Sequence, residues 1–532
     1  MTRLFRFGLV VVVSATALAA FGAVPRAAAA QPAPPYLGNF PDFEAQLTPQ
    51  QLPGDVDVAL KSRLEGEKKF PQVQRLFDLW SWQAFVSLNW PTDGSGKRIV
   101  DAAAPSTQPP AWTLWTESTR VFLPHGAPPP VCKPGAELAA APPANLELML
   151  ARGLQAKIPA ELDRRRVRLL AVTSAVNSNS ALAPLSEISQ AFSGPIIDQN
   201  GNYVYYEILV DKNELGYICQ NKLYSVAGQE DFAKTHQAVD LPSGVDTQDA
   251  SGAFEIKLAW KILAASDEAD RYLTEEAQFP SATGGGAYAF SAPVKVGLVG
   301  MHIAHKSASS KQWIWATFEQ VDNLEVDSVA HPNLKPSFYD PNCAICVPNQ
   351  EPASTGVNSW AKTPKTQIVR SIPIPADKQA LNREAQAALA TAKSPLQYYQ
   401  LIDTQWPTDP SATPTPWNAG LPGAVDNKSG GRPTPVFLTN VTMETYFQGP
   451  TVAACQAEEL PDGVKCPVVP WASATTPNNK DTTVDMTQIF ATESCTGCHS
   501  SASFHGAKPI VSGVNTLQLT GDFSWLFSQK AE

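Results

Sequence analysis

The chain has 532 residues, of which 43% are hydrophobic and 17% are charged. This composition is typical of a globular protein, and the length allows a sizeable core without metals or disulfides. The net charge of −10 at pH 7 argues against nucleic acid and against an anionic membrane surface as partners. The sequence lacks a P-loop, a dinucleotide-binding glycine pattern, a serine hydrolase elbow and an H-E-x-x-H zinc motif, so those chemistries gain no support.

Residues 1–30 have the pattern of a secretory signal peptide. Arg3 and Arg6 precede a long apolar run, and Ala28 and Ala30 fit an A-x-A cleavage site. A retained membrane anchor is the alternative, since the apolar run is long for a signal peptide. The Ala-rich end favours cleavage. We therefore predict a bacterial protein that is periplasmic or secreted, without stable membrane insertion after cleavage.

Residues 31–435 alternate between helical and strand patterns, which predicts a large mixed α+β domain. A dense run of proline, glycine and polar residues at 407–435 predicts a long loop that ends this domain. The remaining residues, 436–532, form a separate C-terminal segment. Within the large domain we predict helices at 70–90, 381–392 and 395–409, and strands at 202–210 and 254–263.

A β-hairpin is predicted in the middle of the large domain. Alternating apolar residues at 294–298 are followed by an aromatic-rich stretch at 313–318, and both patterns favour strands. Between them lie Met301, His302 and His305. On a strand His302 and His305 would point to opposite faces, which argues against a metal site shared by the two.

Six cysteines precede a C-terminal cysteine pair, and in an exported protein they favour disulfides. Cys455 and Cys466 flank a short loop with a Pro-Asp-Gly turn, which favours a bridge between them. Cys343 and Cys346 are a structural disulfide, a redox dithiol or half of a zinc site, and the surroundings favour the disulfide. The pairing of all six stays open: Cys132, Cys219, Cys343, Cys346, Cys455 and Cys466.

The remaining two cysteines belong to the sequence CTGCH, which places Cys495, Cys498 and His499 in a C-x-x-C-H spacing. This spacing is the attachment signature of c-type haem. The two thiols add across the haem vinyl groups as thioethers, and the histidine binds the iron at one axial position. A disulfide or a small metal knot is the alternative. The export signal favours haem c, because bacteria attach haem covalently outside the cytoplasmic membrane.

Residues 484–505 resemble the haem-binding helix of a c-type cytochrome. The resemblance implies a short, mainly helical haem segment, one covalent haem c on Cys495 and Cys498, and His499 as axial iron ligand. Small monohaem cytochromes supply a methionine as second axial ligand several dozen residues later. Here none of the 33 residues after His499 is methionine. The resemblance therefore implies that the large domain forms one wall of the haem site.

Candidates for the second axial ligand are few. The predicted hairpin offers Met301, His302 or His305. Met443 and Met486 fit ordinary core positions. His505 is close to the motif in sequence, and we expect it to be exposed to solvent.

The pattern favours an exported monohaem c-type cytochrome that carries out one-electron transfer with a redox partner protein. Two other classes stay open. One is a haem-dependent oxidoreductase acting on peroxide, oxygen or an organic substrate at an open iron site between the large domain and the haem segment. The other is a binding module in which the haem relays electrons. The size of the large domain favours these two classes, so enzymatic activity is undecided.

Overall fold

The computed structural model describes residues 52–93, 97–99, 108–133, 168–170, 193–244, 251–284, 287–343, 346–356, 359–370, 373–407, 433–434, 438–448, 495–499, 502–506 and 519–532. Within these ranges the protein combines helices with a mainly antiparallel sheet, so the predicted α+β class is confirmed. The predicted signal peptide, the loop between Cys455 and Cys466, and Met486 lie outside the described residues.

The strands of the described chain are β1 Thr116–Glu117, β2 Arg168–Leu169, β3 Tyr205–Val210, β4 Phe254–Ile262, β5 Thr274–Gln278, β6 Pro280–Gly284, β7 Ala287–Phe290, β8 Val294–His305, β9 Ile314–Gln320, β10 Ser354–Gly356, β11 Ser359–Trp360, β12 Tyr399–Pro407 and β13 Pro433–Thr434. A nine-stranded sheet has the order β1-β3-β4-β8-β9-β12-β13, with β5 beside β8 and β2 beside β5. Its pairs are antiparallel except β2 with β5. β6 with β7 and β10 with β11 form separate two-stranded sheets.

The helices in the same ranges are α1 Val58–Gly66, α2 Phe70–Asn89, α3 Ser118–Val121, α4 Lys212–Gln220, α5 Val226–Phe232, α6 Ala376–Thr391, α7 Thr445–Gln448, α8 Cys495–His499 and α9 Leu526–Lys530. Short 3₁₀ turns lie at Ala111–Leu114, Pro124–Gly126, Pro130–Cys132, Ala269–Arg271, Val321–Asn323 and Pro395–Tyr398. None of these helices is long and apolar enough to cross a membrane.

Helix α2 packs against one side of the large sheet, which we call the helix face. The sheet residues on this face include Ile256, Met301, Ile303 and Phe318, and they share one apolar core with α2. The helix is buried along most of its length and ends before Pro91, as predicted, because a residue that precedes proline is disfavoured in helical conformation.

The opposite side of the sheet, the motif face, carries Lys257, His302, Trp315 and Gln405. Strand register places Lys257 beside His302 and Trp315 beside Gln405, so the four side chains share this face. Parts of the C-terminal segment cover it. Its core near Trp315 includes Phe504, Leu519, Leu526 and Phe527.

Two disulfides occur among the described cysteines. Cys132 pairs with Cys219, and this bond joins the 3₁₀ turn at Pro130–Cys132 to α4. Cys343 pairs with Cys346, which is the disulfide that the sequence favoured for this C-x-x-C.

The prediction of a helix at 395–409 is wrong. A 3₁₀ turn at Pro395–Tyr398 is followed directly by strand β12. The apolar spacing fits both structures, but Tyr399, Ile402, Thr404 and Trp406 belong to the aromatic and β-branched types that favour strands. Pairing with β9 then satisfies the backbone of this segment along most of its length.

Candidate functional site

Helix α8 contains the whole CTGCH motif and lies on the motif face of the sheet. The backbone N–H of Thr496 donates a hydrogen bond to Oε1 of Gln405 on β12, at 2.7 Å. The ring of His499 lies 4.6 Å from the ring of Trp315 on β9, measured between ring centroids. Two neighbouring strands of the large sheet, β9 and β12, therefore position the motif.

His499 is held in one tautomer. Its Nδ1 lies 2.7 Å from the carbonyl oxygen of Phe523. A carbonyl only accepts hydrogen bonds, so Nδ1 carries the proton and Nε2 keeps its lone pair in the neutral ring. Burial lowers the pKa of His499 to about 4, although the bond to Phe523 opposes this shift. The ring is therefore neutral at pH 7, and histidines that bind metals have this arrangement.

The backbone around Phe523 adopts an uncommon conformation. Asp522 and Phe523 have φ angles of +50° and +67°, a left-handed conformation that costs residues other than glycine about 1–2 kcal/mol each. The side chain of Asp522 offsets part of this cost. It accepts a hydrogen bond from the backbone N–H of Leu241 at 2.7 Å and lies 2.6 Å from Nζ of Lys306. These contacts hold the Phe523 carbonyl against His499.

Neither Cys495 nor Cys498 takes part in a disulfide. Burial raises the pKa of the Cys495 thiol well above its ordinary value, and the nearby Glu444 and Cys498 add to the shift. The Cys495 side chain is therefore a thiol at neutral pH. Redox-active and nucleophilic cysteines have lowered pKa values instead, so this environment does not resemble a thioredoxin-like dithiol.

A group of titratable side chains lies on the motif face near α8. Nε2 of His302 lies 2.9 Å from Oε1 of Glu444, and each side chain is 18% exposed. The other carboxylate oxygen of Glu444 accepts the backbone N–H of Asn440 at 2.8 Å. The nearby His302 lowers the pKa of Glu444 against the effect of burial, so the carboxylate is ionised. Burial lowers the pKa of Lys257, the neighbour of His302 in the sheet.

The three candidates for the second axial ligand lie on two faces of the sheet. Met301 is fully buried on the helix face, where its sulfur accepts a hydrogen bond from Asn89 at 3.3 Å. His305 lies on the same face, and its ring stacks on Phe254 at 3.8 Å. His302 lies on the motif face. The sheet therefore separates Met301 and His305 from α8, and the opposite orientation predicted for His302 and His305 is observed.

Met443 and His505 were two further candidates for the second axial ligand. Met443 is buried in an apolar cluster, as expected. His505 is half-buried rather than exposed, and its Nε2 has no hydrogen-bond partner among the described residues.

Sequence reasoning missed Phe523, Glu444 and Gln405 as parts of the site. Along the chain, Phe523 is 24 residues from His499, Glu444 is 142 residues from His302, and Gln405 is 91 residues from Thr496. We find no local pattern that marks any of them.

The donor set on α8 fits a covalently attached haem. Two thiols outside any disulfide lie on one short helix, and the imidazole that follows them has an available Nε2 lone pair. Across the described residues, no group of three or more His, Cys, Asp and Glu side chains is arranged to hold a metal ion directly. Comparisons with protein family models, curated proteins and solved structures found no match to this chain.

Proposed function

We propose that the protein is an exported monohaem c-type cytochrome that exchanges single electrons with a redox partner protein. Cys495 and Cys498 would hold the haem as thioethers, and His499 would bind the iron. The observation that carries the proposal is the hydrogen bond from Nδ1 of His499 to the carbonyl of Phe523 in a CTGCH motif. That bond leaves the lone pair of Nε2 available to a metal ion, as in metal-binding histidines.

Haem c, when bound, supplies a one-electron couple. The surrounding residues orient and enclose the attachment helix. Gln405 holds the start of α8, Trp315 packs against His499, and the Phe523 carbonyl fixes the ring. In this proposal residues 436–532 are the haem segment, residues 31–435 supply the opposing wall, and the acidic net charge favours a partner with a basic surface.

A second candidate function is haem-dependent oxidation or reduction of a small substrate at an open iron site. The pair formed by His302 and Glu444 favours it. The ionised carboxylate accepts a hydrogen bond from Nε2 of His302, so this nitrogen is not available to bind iron in this conformation. An imidazole paired with a carboxylate is a common acid–base group in enzymes. His302 thus has two alternative roles, axial ligand after reorientation or acid–base group.

Maturation in a bacterial host that attaches haem c tests the proposal. We expect a single covalent haem that survives denaturation and gives the pyridine haemochrome spectrum of a thioether-linked haem. Absence of covalent haem from folded, exported protein would overturn the proposal.

The visible spectrum with and without carbon monoxide then separates the two functions. A low-spin reduced spectrum that carbon monoxide leaves unchanged supports electron transfer, and rapid carbon monoxide binding supports the open site. If His302 is the second ligand, His302→Ala converts a closed spectrum to an open one. His236→Ala, which removes an exposed histidine, serves as the matched control.

A further inference from the structure

Glu214 is a fully buried carboxyl group on α4 that the proposed electron transfer does not use. Its side chain is 0% exposed, and neither carboxylate oxygen has a hydrogen-bond partner in the described parts of the chain. An ionised carboxylate without partners is costly to bury, so such a group normally holds a proton. Burial raises its pKa well above the ordinary value, and the charges of Glu255, Asp211 and Asp522 raise it further.

Glu255, on the motif face of β4, connects this buried carboxyl to the haem segment. Its Oε2 accepts a hydrogen bond from Oγ of Ser524 at 2.8 Å. Ser524 follows Phe523, whose carbonyl holds His499. Burial raises the pKa of Glu255 to about 7, against the opposing effects of Ser524 and Lys257. Glu255, with a pKa of about 7, therefore contacts Ser524, and Ser524 follows the residue whose carbonyl binds the proposed iron ligand.

The charged groups around the two glutamates leave them without a close cation. Lys306 is 2.5 Å from Asp240 and 2.6 Å from Asp522. Lys257 acts on Glu255, but burial and the nearby Lys530 lower the pKa of this lysine. No ion pair to Glu214 or Glu255 occurs in the described ranges. Tyr217 and Asp211 are further titratable groups near them. An electron added close to Glu214 and Glu255 would therefore favour the binding of a proton there rather than the rearrangement of a salt bridge.

We propose that Glu214 and Glu255 form a proton-binding site that is coupled to electron transfer at α8. The proposal rests on the haem function proposed above. One proton from solvent binds to Glu255, beside the already protonated Glu214, as one electron arrives from the redox partner protein, and one proton leaves as the electron passes on. Net charge in the buried region is thereby preserved in both redox states.

The test is a potentiometric titration of the mature, haem-loaded full chain between about pH 5 and about pH 9. One proton coupled to one electron shifts the midpoint potential by about 59 mV for each tenfold change in proton concentration. We expect the slope to approach this value over part of the range. Glu255→Gln should flatten it, while Glu214→Gln, which replaces a carboxyl group that already holds its proton, should keep a slope. Glu230→Gln, which changes an exposed glutamate on α5, should leave the slope unchanged.

Infrared difference spectroscopy provides a second readout of the same site. Reduction should raise the absorption of protonated carboxyl groups in the parent chain, and Glu255→Gln should remove this change. If Glu255→Gln does not fold, Ser524→Ala tests the connection, because it removes the hydrogen bond to Glu255 and keeps the carboxyl.

The outcomes separate this inference from the proposed function. A haem-loaded protein whose midpoint potential is independent of pH overturns the proton coupling and leaves electron transfer intact. The same holds for a slope that survives in Glu255→Gln, since another group would then bind the proton. Folded protein without covalent haem overturns both proposals together.

Discussion

The helix face and the motif face of the sheet use the same strands for different purposes. On the helix face the rings of Phe85 and Phe318 stack at 4.2 Å, and the buried carboxylate of Asp78 lies 2.8 Å from Nζ of Lys378. On the motif face His302 and Glu444 stay partly exposed, and the adjoining Glu214 lacks hydrogen-bond partners in the described chain. The ion pair on the helix face is fully buried, whereas the motif face combines a partly exposed pair with a buried carboxyl group that has no hydrogen-bond partner in the described chain.

Strand β8 shows how closely the two environments adjoin. Met301 and His302 are consecutive, yet Met301 packs in the core under α2 and His302 bonds to Glu444 under α8. Side chains alternate between the faces of a strand, so a difference of one residue decides which face a side chain joins. Consecutive residues of one strand therefore differ in their surroundings: Met301 lies in an apolar core, and His302 lies in a polar, partly exposed group beside the CTGCH motif.

The largest effect is expected from the double variant Cys495→Ser with Cys498→Ser. If the motif face holds haem c, covalent haem should be lost completely, because serine forms no thioether. Haem staining after denaturing electrophoresis measures this. The double variant Cys343→Ser with Cys346→Ser removes a disulfide elsewhere and should keep its haem. Covalent haem on the Cys495/Cys498 variant would show that the attachment site lies elsewhere.

Met301→Ala should affect stability more than any other single change proposed here. The side chain is fully buried, and shortening such a residue to alanine costs about 2–5 kcal/mol in free energy of unfolding. Because the sheet separates Met301 from α8, the visible spectrum of the folded, haem-loaded variant should match the parent. A conversion from a low-spin to a high-spin spectrum would instead identify Met301 as an axial ligand.

Glu214→Gln should change how stability depends on pH. A raised pKa means that the folded chain holds this proton more tightly than the unfolded chain, whose value is near 4.5. The stabilisation is complete below that value and is lost as pH rises. Glutamine has no proton to lose, so the stability of the variant relative to the parent should be greater at about pH 8 than at about pH 5, by about 1.4 kcal/mol for each unit by which the pKa is raised within that range. Denaturant unfolding at both pH values measures the difference, and an equal gain at both would contradict it.

The smallest effect on stability is expected from His302→Ala. A partly exposed ion pair contributes about 0.2–1 kcal/mol, so the free energy of unfolding should fall by no more than this. If the chain binds haem as proposed, carbon monoxide binding should nevertheless change, since both proposed roles of His302 act at the iron site. Comparison with Met301→Ala gives the sharpest contrast, because the two residues are neighbours in sequence. Equal loss of stability in both variants would contradict the distinction between the faces.

Several features of the protein follow from local patterns. Helix α2, strands β3 and β4 and the β8–β9 hairpin were predicted because their apolar periodicity and length agree with one structure only. The opposite orientation of His302 and His305 follows from strand geometry alone. The segment at 395–409 failed because its apolar residues fit a helix and a strand equally, and only pairing with β9 decides between them.

The CTGCH spacing is sufficient to predict haem attachment, since thiols and imidazole at this spacing need no distant partner to be recognised. Only the tertiary structure decided which residues surround it. Phe523, Gln405 and Glu444 reach the site through strand register and chain packing over 24 to 142 residues. Such contacts depend on how the whole core closes, and no short stretch of sequence encodes that.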